Sequence, residues 1–261
     1  MLGGRITREP VSWLAWAASD VGRRRERNED SFCTDAEIGL FLVADGMGGH
    51  AGGQTASRLA VSILRREVTA AAPTLADAPA TEAARLSVAV LERAIEVACR
   101  EVHERARLDR ELDGMGTTIT ALLLGPHGGA LAHVGDSRAY LVRDGALLQL
   151  SEDHSLVQEQ LRLGLINDAQ ARSSRLRNVI TRSVGVEPEV TPDLLPLAPR
   201  PGDRFLLCSD GLSNYVEPSE VVMVLESHLL AKAPEIFVDL ANERGGADNV
   251  TAVVVYVRDA D

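Results

Sequence analysis

The sequence predicts an α+β domain built in layers, on three observations. Short apolar runs bounded by turn residues come in clusters. Two separated pairs of helical patterns interrupt them. At 261 residues and 45% hydrophobic content, the chain can bury a full core as one domain spanning 1–261. Residues 11–18 open with a strand pattern, and residues 39–44 (Gly-Leu-Phe-Leu-Val-Ala) read as a buried strand. Residues 54–68 set Ala60, Ile63 and Leu64 at helical spacing. Residues 70–80, Ala-rich with Pro73 and Pro79, read as a connection between helices. Residues 81–108 carry Val88, Leu91, Ile95, Ala98 and Val102, a helical stripe in steps of three and four. Strands follow at 117–124, 130–134, 139–143 and 147–150, with Arg143-Asp144-Gly145 as a hairpin turn. Residues 156–165 turn helical and polar, and the stretch to Arg177 reads as irregular. Strand signals resume at 190–195 and 204–207. Helices near 219–229 and 234–244 precede a last strand at 250–255. No internal repeat or linker is visible.

Composition narrows the classes of function. A net charge of −11 argues against a nucleic-acid partner held by a bulk positive field, and reads first as a solubility feature. Cys33, Cys99 and Cys208 are too few and too far apart for a disulfide framework or a zinc knuckle, and Cys208 reads as a packed thiol. Arg5 and Arg8 ahead of residues 11–18 faintly imitate a signal peptide, but that apolar stretch is short and reads better as a strand. No later segment approaches the roughly 20 apolar residues that span a bilayer. The expectation is a cytoplasmic protein, in keeping with a reducing compartment.

The chemistry gathers on aspartates. Asp45-Gly46-Met47-Gly48-Gly49-His50 ends the run at 39–44 and puts a carboxylate in a glycine turn. A plain hairpin turn accounts for the Asp and the glycines, though not for His50, whose ring titrates near neutral pH. The placement recurs. Asp136 follows the strand at 130–134, Asp210 follows 204–207, Asp248 precedes 250–255, and Asp30 follows Asn28-Glu29. Hard divalent cations such as Mg²⁺ and Mn²⁺ take such oxygen ligands, with water in the remaining positions.

Taken in order, the segments resemble the metal-dependent protein serine/threonine phosphatases of the protein phosphatase 2C family. They are Ser19-Asp20-Val21-Gly22 with Arg25, Asn28-Glu29-Asp30, residues 45–53, Gly114-Met115-Gly116-Thr117-Thr118, Gly135-Asp136-Ser137-Arg138, Asp153-His154-Ser155, residues 178–182, Ser209-Asp210-Gly211-Leu212 and Asp248-Asn249-Val250-Thr251. They cover residues 19–251. Lys232 is the sole lysine, while Arg and Ala abound, which suggests a bacterial member from a GC-rich genome.

The resemblance implies a four-layer α-β-β-α sandwich, two antiparallel sheets flanked by helix pairs, with the metal site at one edge. It implies that Asp45 bridges two Mn²⁺ or Mg²⁺ ions, that the Gly46 carbonyl serves one, and that Asp210 and Asp248 complete the other. Asp30 would orient a ligand or bound waters, and Asp136 would share a third, weaker ion with Asp210. Phosphoserine and phosphothreonine would be hydrolysed by direct attack of the water between the ions. The run Arg23, Arg24, Arg25 and Arg27 is ambiguous by itself; the family's spacing from Gly22 to Asn28 points to Arg25 as the candidate phosphate clamp. His50 is the candidate general acid. His133 reads as core packing, His154 as a turn-fixing hydrogen-bonder, His103, His127 and His228 as ordinary residues, and Thr117 and Thr118 as structural support. Arg138 could partner a carboxylate. Residues 156–177 would form a flap. They depart from bacterial relatives at 164–177, where Ser174-Arg175 replace a His-Pro, which bears on substrate preference. The partners implied are phosphoproteins and a cognate bacterial Ser/Thr kinase, with the enzyme a monomer. Two other readings stay open: a phosphatase dedicated to one regulator of the anti-sigma-factor antagonist type, and a catalytically dead binding relative. The metal carboxylates Asp45, Asp210 and Asp248 speak against the second.

Overall fold

A computed structural model of the protein describes residues 10–48, 51–227 and 229–260. Strands β1 (Val11–Asp20), β2 (Asp30–Asp35) and β3 (Leu40–Met47) lead into helices α1 (Gly52–Ala76) and α2 (Ala83–Leu108). Strands β4 (Gly116–Thr117), β5 (Ile119–Gly125), β6 (Gly128–Val134), β7 (Arg138–Arg143) and β8 (Ala146–Gln149) follow. After helices α3 (Leu156–Arg162) and α4 (Asp168–Ser173) come β9 (Asp193–Leu197), β10 (Arg204–Cys208) and the one-turn α5 (Asp210–Ser213). Helices α6 (Pro218–Glu226) and α7 (Ala233–Glu243) precede β11 (Val250–Asp259).

The strands pair in two antiparallel sheets, one ordered β1-β11-β10-β7-β8 and the other β2-β3-β5-β6-β9, with β4 attached to β3. Side-chain alternation along each strand then builds three apolar layers. Phe41 and Val43 of β3 meet Phe205, Leu207, Val253 and Val255 between the sheets. The alternate residues Leu40, Leu42 and Ala44 face Leu64, Leu91 and Ile95 of α1 and α2. On the other sheet Leu206 and Val254 face Leu225, Phe237 and Ala241 of α6 and α7. Helix pair, sheet, sheet and helix pair make the expected sandwich.

The elements differ from the sequence expectation in several places. Helix α1 runs through Pro73 to Ala76, so only residues 77–82 connect the helices. The alanines favour helix, and Leu75 packs on the core, which together outweigh the proline. Strand β2 escapes the periodicity because Asp30, not an apolar residue, is its buried member while Phe32 points outward. The run at 117–124 breaks at Thr118, with Thr117 pairing to Gly46 and the rest forming β5. Helix α4 lies in the stretch read as irregular, started by Asn167, which forms a capping box with Gln170. Strand β9 sits later than the 190–195 pattern, at Asp193–Leu197, with Leu194 packed on the helix-facing layer and Leu197 on the layer between the sheets. The hairpin at Asp144-Gly145 is as read, with φ of 53° and 76°.

Phe237 is fully buried in the layer under α6 and α7. Phe237→Ala should cost about 3–5 kcal/mol of unfolding free energy. Urea denaturation followed by circular dichroism measures it, and a loss below about 1 kcal/mol would show that this layer repacks freely.

Candidate functional site

The carboxylates collect where the two sheets share an edge. Asp30 opens β2 directly opposite Asp45 in β3. Asp136 lies in the turn from β6 to β7, Asp210 begins α5 after β10, and Asp248 stands before β11. Asp45 is not beyond its strand, as the sequence suggested. β3 continues to Met47 because Gly46 and Met47 pair with Thr117 and Gly116.

The backbone around Asp45 is clamped. Its N–H donates to Thr118 Oγ1 at 2.9 Å, and its carbonyl accepts from Thr117 Oγ1 and Thr118 N–H, each at 2.9 Å. Thr118 Oγ1 lies 2.9 Å from Ser137 Oγ, which ties this clamp to the Asp136 turn. Gly46 must be glycine, since a Cβ there would stand 2.1 Å from the Gly53 carbonyl oxygen at the start of α1. β3 thus lies directly against the first turn of α1.

Asp30 joins the sheets. Its Oδ2 accepts from Ser209 Oγ, just after β10, at 2.8 Å and from Thr251 Oγ1 of β11 at 2.6 Å, while its Oδ1 is buried with no partner. Asp136 Oδ1 is buried without a partner too. Burial and then the neighbouring carboxylates raise these acids: Asp30 to about 7, Asp136 to about 8 and Asp210 to about 6. Burial, then Asp30, Asp210 and Asp136, holds Asp45 well above the usual carboxylate range. Gathered anions with orphaned oxygens suit a hard divalent cation, which supplies the positive charge they lack. Among the described residues, no three His, Cys, Asp or Glu side chains converge tightly enough on one point to form a ready chelate. The cluster is electrostatic rather than a closed cage.

Arg25 is the arginine of the 23–27 run that reaches the site, its Nη2 2.7 Å from Asp248 Oδ2. Asn249, to which the sequence reading assigned no role, fastens the loop that carries it. Its Oδ1 accepts from Glu29 N–H at 2.8 Å, and its Nδ2 donates to the Val21 and Arg27 carbonyls at 2.9 Å each.

 The Arg27 carbonyl is thereby tied to the turn that carries Asp248. Ser209, Thr251 and Asn249 all lie inside motifs visible in the sequence, but only their contacts reveal what they do. His50 lies outside the described residues, as do Gly49 and His228.

Arg138, His133 and His154 make contacts that hold the surrounding turns and strands. Arg138 forms a bidentate pair with Asp153, at 2.7 and 2.9 Å, rather than with Asp136. His133 is buried against Thr120, its Nδ1 3.0 Å from Thr120 Oγ1. His154 Nδ1 accepts from Gly135 N–H at 3.1 Å and its Nε2 faces Asp193 at 3.1 Å, which fixes the turn before Asp136.

The raised acids make stability depend on pH with a definite sign. The folded, metal-free protein retains protons on Asp30 and Asp136 that the unfolded chain releases near 3.8, so their contribution is lost as pH rises through about 7 and 8. Buried His133, lowered to about 4, acts in the opposite sense while unfolded histidine titrates near 6.5, so the comparison belongs above pH 7. Between about pH 7 and 8.5 the melting temperature in chelator should fall by a few degrees, and Asp136→Asn should make the fall shallower. Scanning calorimetry checks it, and a melting temperature that rises over this range would contradict the assignment.

Comparison with known proteins agrees with this geometry. Residues 22–235 match the protein phosphatase 2C family. The serine/threonine phosphatase stp of Listeria monocytogenes is 37% identical over 245 residues, covering 91% of this chain and 93% of that protein. The crystal structure of the Mycobacterium tuberculosis serine/threonine phosphatase PstP/Ppp superposes with a TM-score of 0.85 at 36% identity, covering 94% of this chain and 99% of the other. The PstP catalytic domain in complex with two manganese ions gives 0.83 at 36% identity, covering 95% and 100%. The sandwich, the ordered motifs and the carboxylate rim agree with these matches: the chain belongs to the protein phosphatase 2C family.

Proposed function

We propose that this protein hydrolyses phosphoserine and phosphothreonine in proteins at the rim of carboxylates around Asp45, opposing a bacterial Ser/Thr kinase. The activity is that of a metal-dependent serine/threonine phosphatase, a phosphoric monoester hydrolase. One observation carries the site: Asp30 and Asp45 stand opposite each other on paired strands with Asp136, Asp210 and Asp248 close by, and Arg25 is the cation seen to pair with this rim. Like charges so placed repel unless something neutralises them.

Asp45, Asp210, Asp248 and the Gly46 carbonyl would hold two Mn²⁺ or Mg²⁺ ions, with Asp30 orienting their surroundings and Asp136 serving a third. Bound there, such ions would supply an activated water and neutralise charge on the phosphoryl oxygens. The chain supplies the rest. Arg25 leaves Asp248 to grip two phosphate oxygens with its guanidinium fork. His50 donates the proton that the serine or threonine oxygen needs as it leaves. Thr117 and Thr118 hold the backbone of Asp45 still, so that little reorganisation is required. The whole chain acts as one catalytic domain, a monomer, with residues 156–177 as a flap beside the site. Among the described residues no helix is long and apolar enough to cross a membrane, and a cytoplasmic location is part of this proposal.

Metal dependence tests the site first. Calorimetric titration of the chelator-stripped protein with Mn²⁺ should show tight binding that Asp45→Ala and Asp248→Ala each abolish, while circular dichroism reports an intact fold. Phosphothreonine-peptide hydrolysis should disappear with it. Full activity after exhaustive chelation would overturn the mechanism.

The leaving group tests His50. His50→Gln should slow a phosphothreonine peptide by roughly 10²-fold or more, and p-nitrophenyl phosphate far less, because nitrophenolate departs without a proton. Arg25→Ala should slow both, since both present the same phosphoryl oxygens. Equal slowing of the two substrates by His50→Gln would remove His50 as the proton donor.

A further inference from the structure

The loop between β1 and β2 holds more positive charge than one phosphate needs. Residues 23–27 read Arg-Arg-Arg-Glu-Arg in a chain of net charge −11, and all of them are exposed. Arg25 meets Asp248, whereas Arg23, Arg24 and Arg27 form no ion pair among the described residues. A solvated turn would account for scattered charge, but this loop is fastened. Arg23 N–H donates to the Gly246 carbonyl at 2.7 Å, and Asn249 Nδ2 holds the carbonyls of Val21 and Arg27. Gly22, at φ +82°, lets the Asp248 carbonyl oxygen lie 2.2 Å from where a Cβ would stand. The guanidinium groups therefore stem from a backbone held against the turn that carries Asp248.

A second source of positive charge lies nearby. Arg177, in the segment after α4, lines a cavity of about 580 Å³ together with Asp136 and Asp210, and its charge acts on Asp210. Arg25 and Arg177 both act on Asp210, so an anion arriving there meets positive charge from two separate segments. Arg25 suffices for the scissile phosphate, so its neighbours are free for a different anion on the same substrate. A guanidinium fork matches both carboxylate and phosphate, and binds the more highly charged phosphate more strongly.

We propose that Arg24 and Arg27 form a recognition rim for a second anionic group on the phosphoprotein, close in sequence to the phosphothreonine being hydrolysed. The preferred substrates are then segments that carry another phosphate or acidic side chains beside the scissile residue. This assignment rests on the phosphatase reading above.

Kinetics on four peptides sharing one phosphothreonine test it: neutral flanks, glutamate flanks, lysine flanks and a second phosphothreonine. The readout is each peptide's kcat/KM relative to the neutral one, measured within a single protein so that any general loss of activity cancels. The native protein should favour the doubly phosphorylated peptide by about three- to tenfold and disfavour lysine flanks. The preference should shrink toward one in the Arg24→Gln/Arg27→Gln variant and in about 0.5 M salt, which screens exposed charges. A preference for glutamate flanks alone assigns the rim to acidic sequences, and one for the second phosphate alone to multiply phosphorylated segments. Ratios near one in the native protein, or ratios unchanged in the variant, overturn the rim. Failure to hydrolyse any peptide or p-nitrophenyl phosphate with Mn²⁺ would instead refute the phosphatase reading on which it rests.

Discussion

Mutual repulsion among carboxylates at the seam between the sheets is the constraint around which the molecule is arranged. Asp30 and Asp45 face one another across β2 and β3, and Asp136, Asp210 and Asp248 reach the same rim from three other segments. Such a grouping opposes folding. The fold tolerates it by surrounding one member with donors, the Ser209 and Thr251 hydroxyls on Asp30, and by leaving other oxygens open to a cation. A site built this way suits a divalent cation, whose charge would offset that of the carboxylates. Under the proposed metal binding, stability and metal affinity would be linked through the same residues.

The sandwich makes that arrangement possible. Three apolar layers hold the sheets in a fixed stack, and the carboxylates can be set at its edge without drawing on the core for support. The precision comes from backbone contacts. Thr117 and Thr118 seize the backbone of Asp45, while Gly46 lets β3 touch the start of α1. Asn249 links the strand ends of both sheets to the β1–β2 loop through a single amide. Rigid elements thus position the site, and the loops around it are left to vary in the groups they present.

Charge of both signs is sorted in space. The chain is acidic overall, yet its loop at 23–27 and Arg177 place positive charge beside the densest group of carboxylates. Arg25 pairs with Asp248 at 2.7 Å. An exposed ion pair of this kind is weak and readily exchanged for a better anion. That exchange is what the proposed clamp role of Arg25 requires.

Much of this was legible in the sequence because it depends on local pattern. Runs of alternating or helical apolar residues marked most strands and both helix pairs, and the ordered motifs located the aspartates and Arg25. Strand β2 was not legible, since its buried residue is a charged one, and α1 ran on through Pro73 because packing and alanine propensity outweighed a local breaker. The sequence by itself determined the apolar layers and the set of acidic residues, for these follow from the spacing and chemistry of neighbouring residues. Only the tertiary structure decided that Asp30 faces Asp45, that Ser209 and Thr251 reach across to Asp30, and that Asn249 holds the arginine loop. Those are contacts between residues far apart in the chain, and their geometry is fixed by strand register and sheet stacking rather than by any local preference.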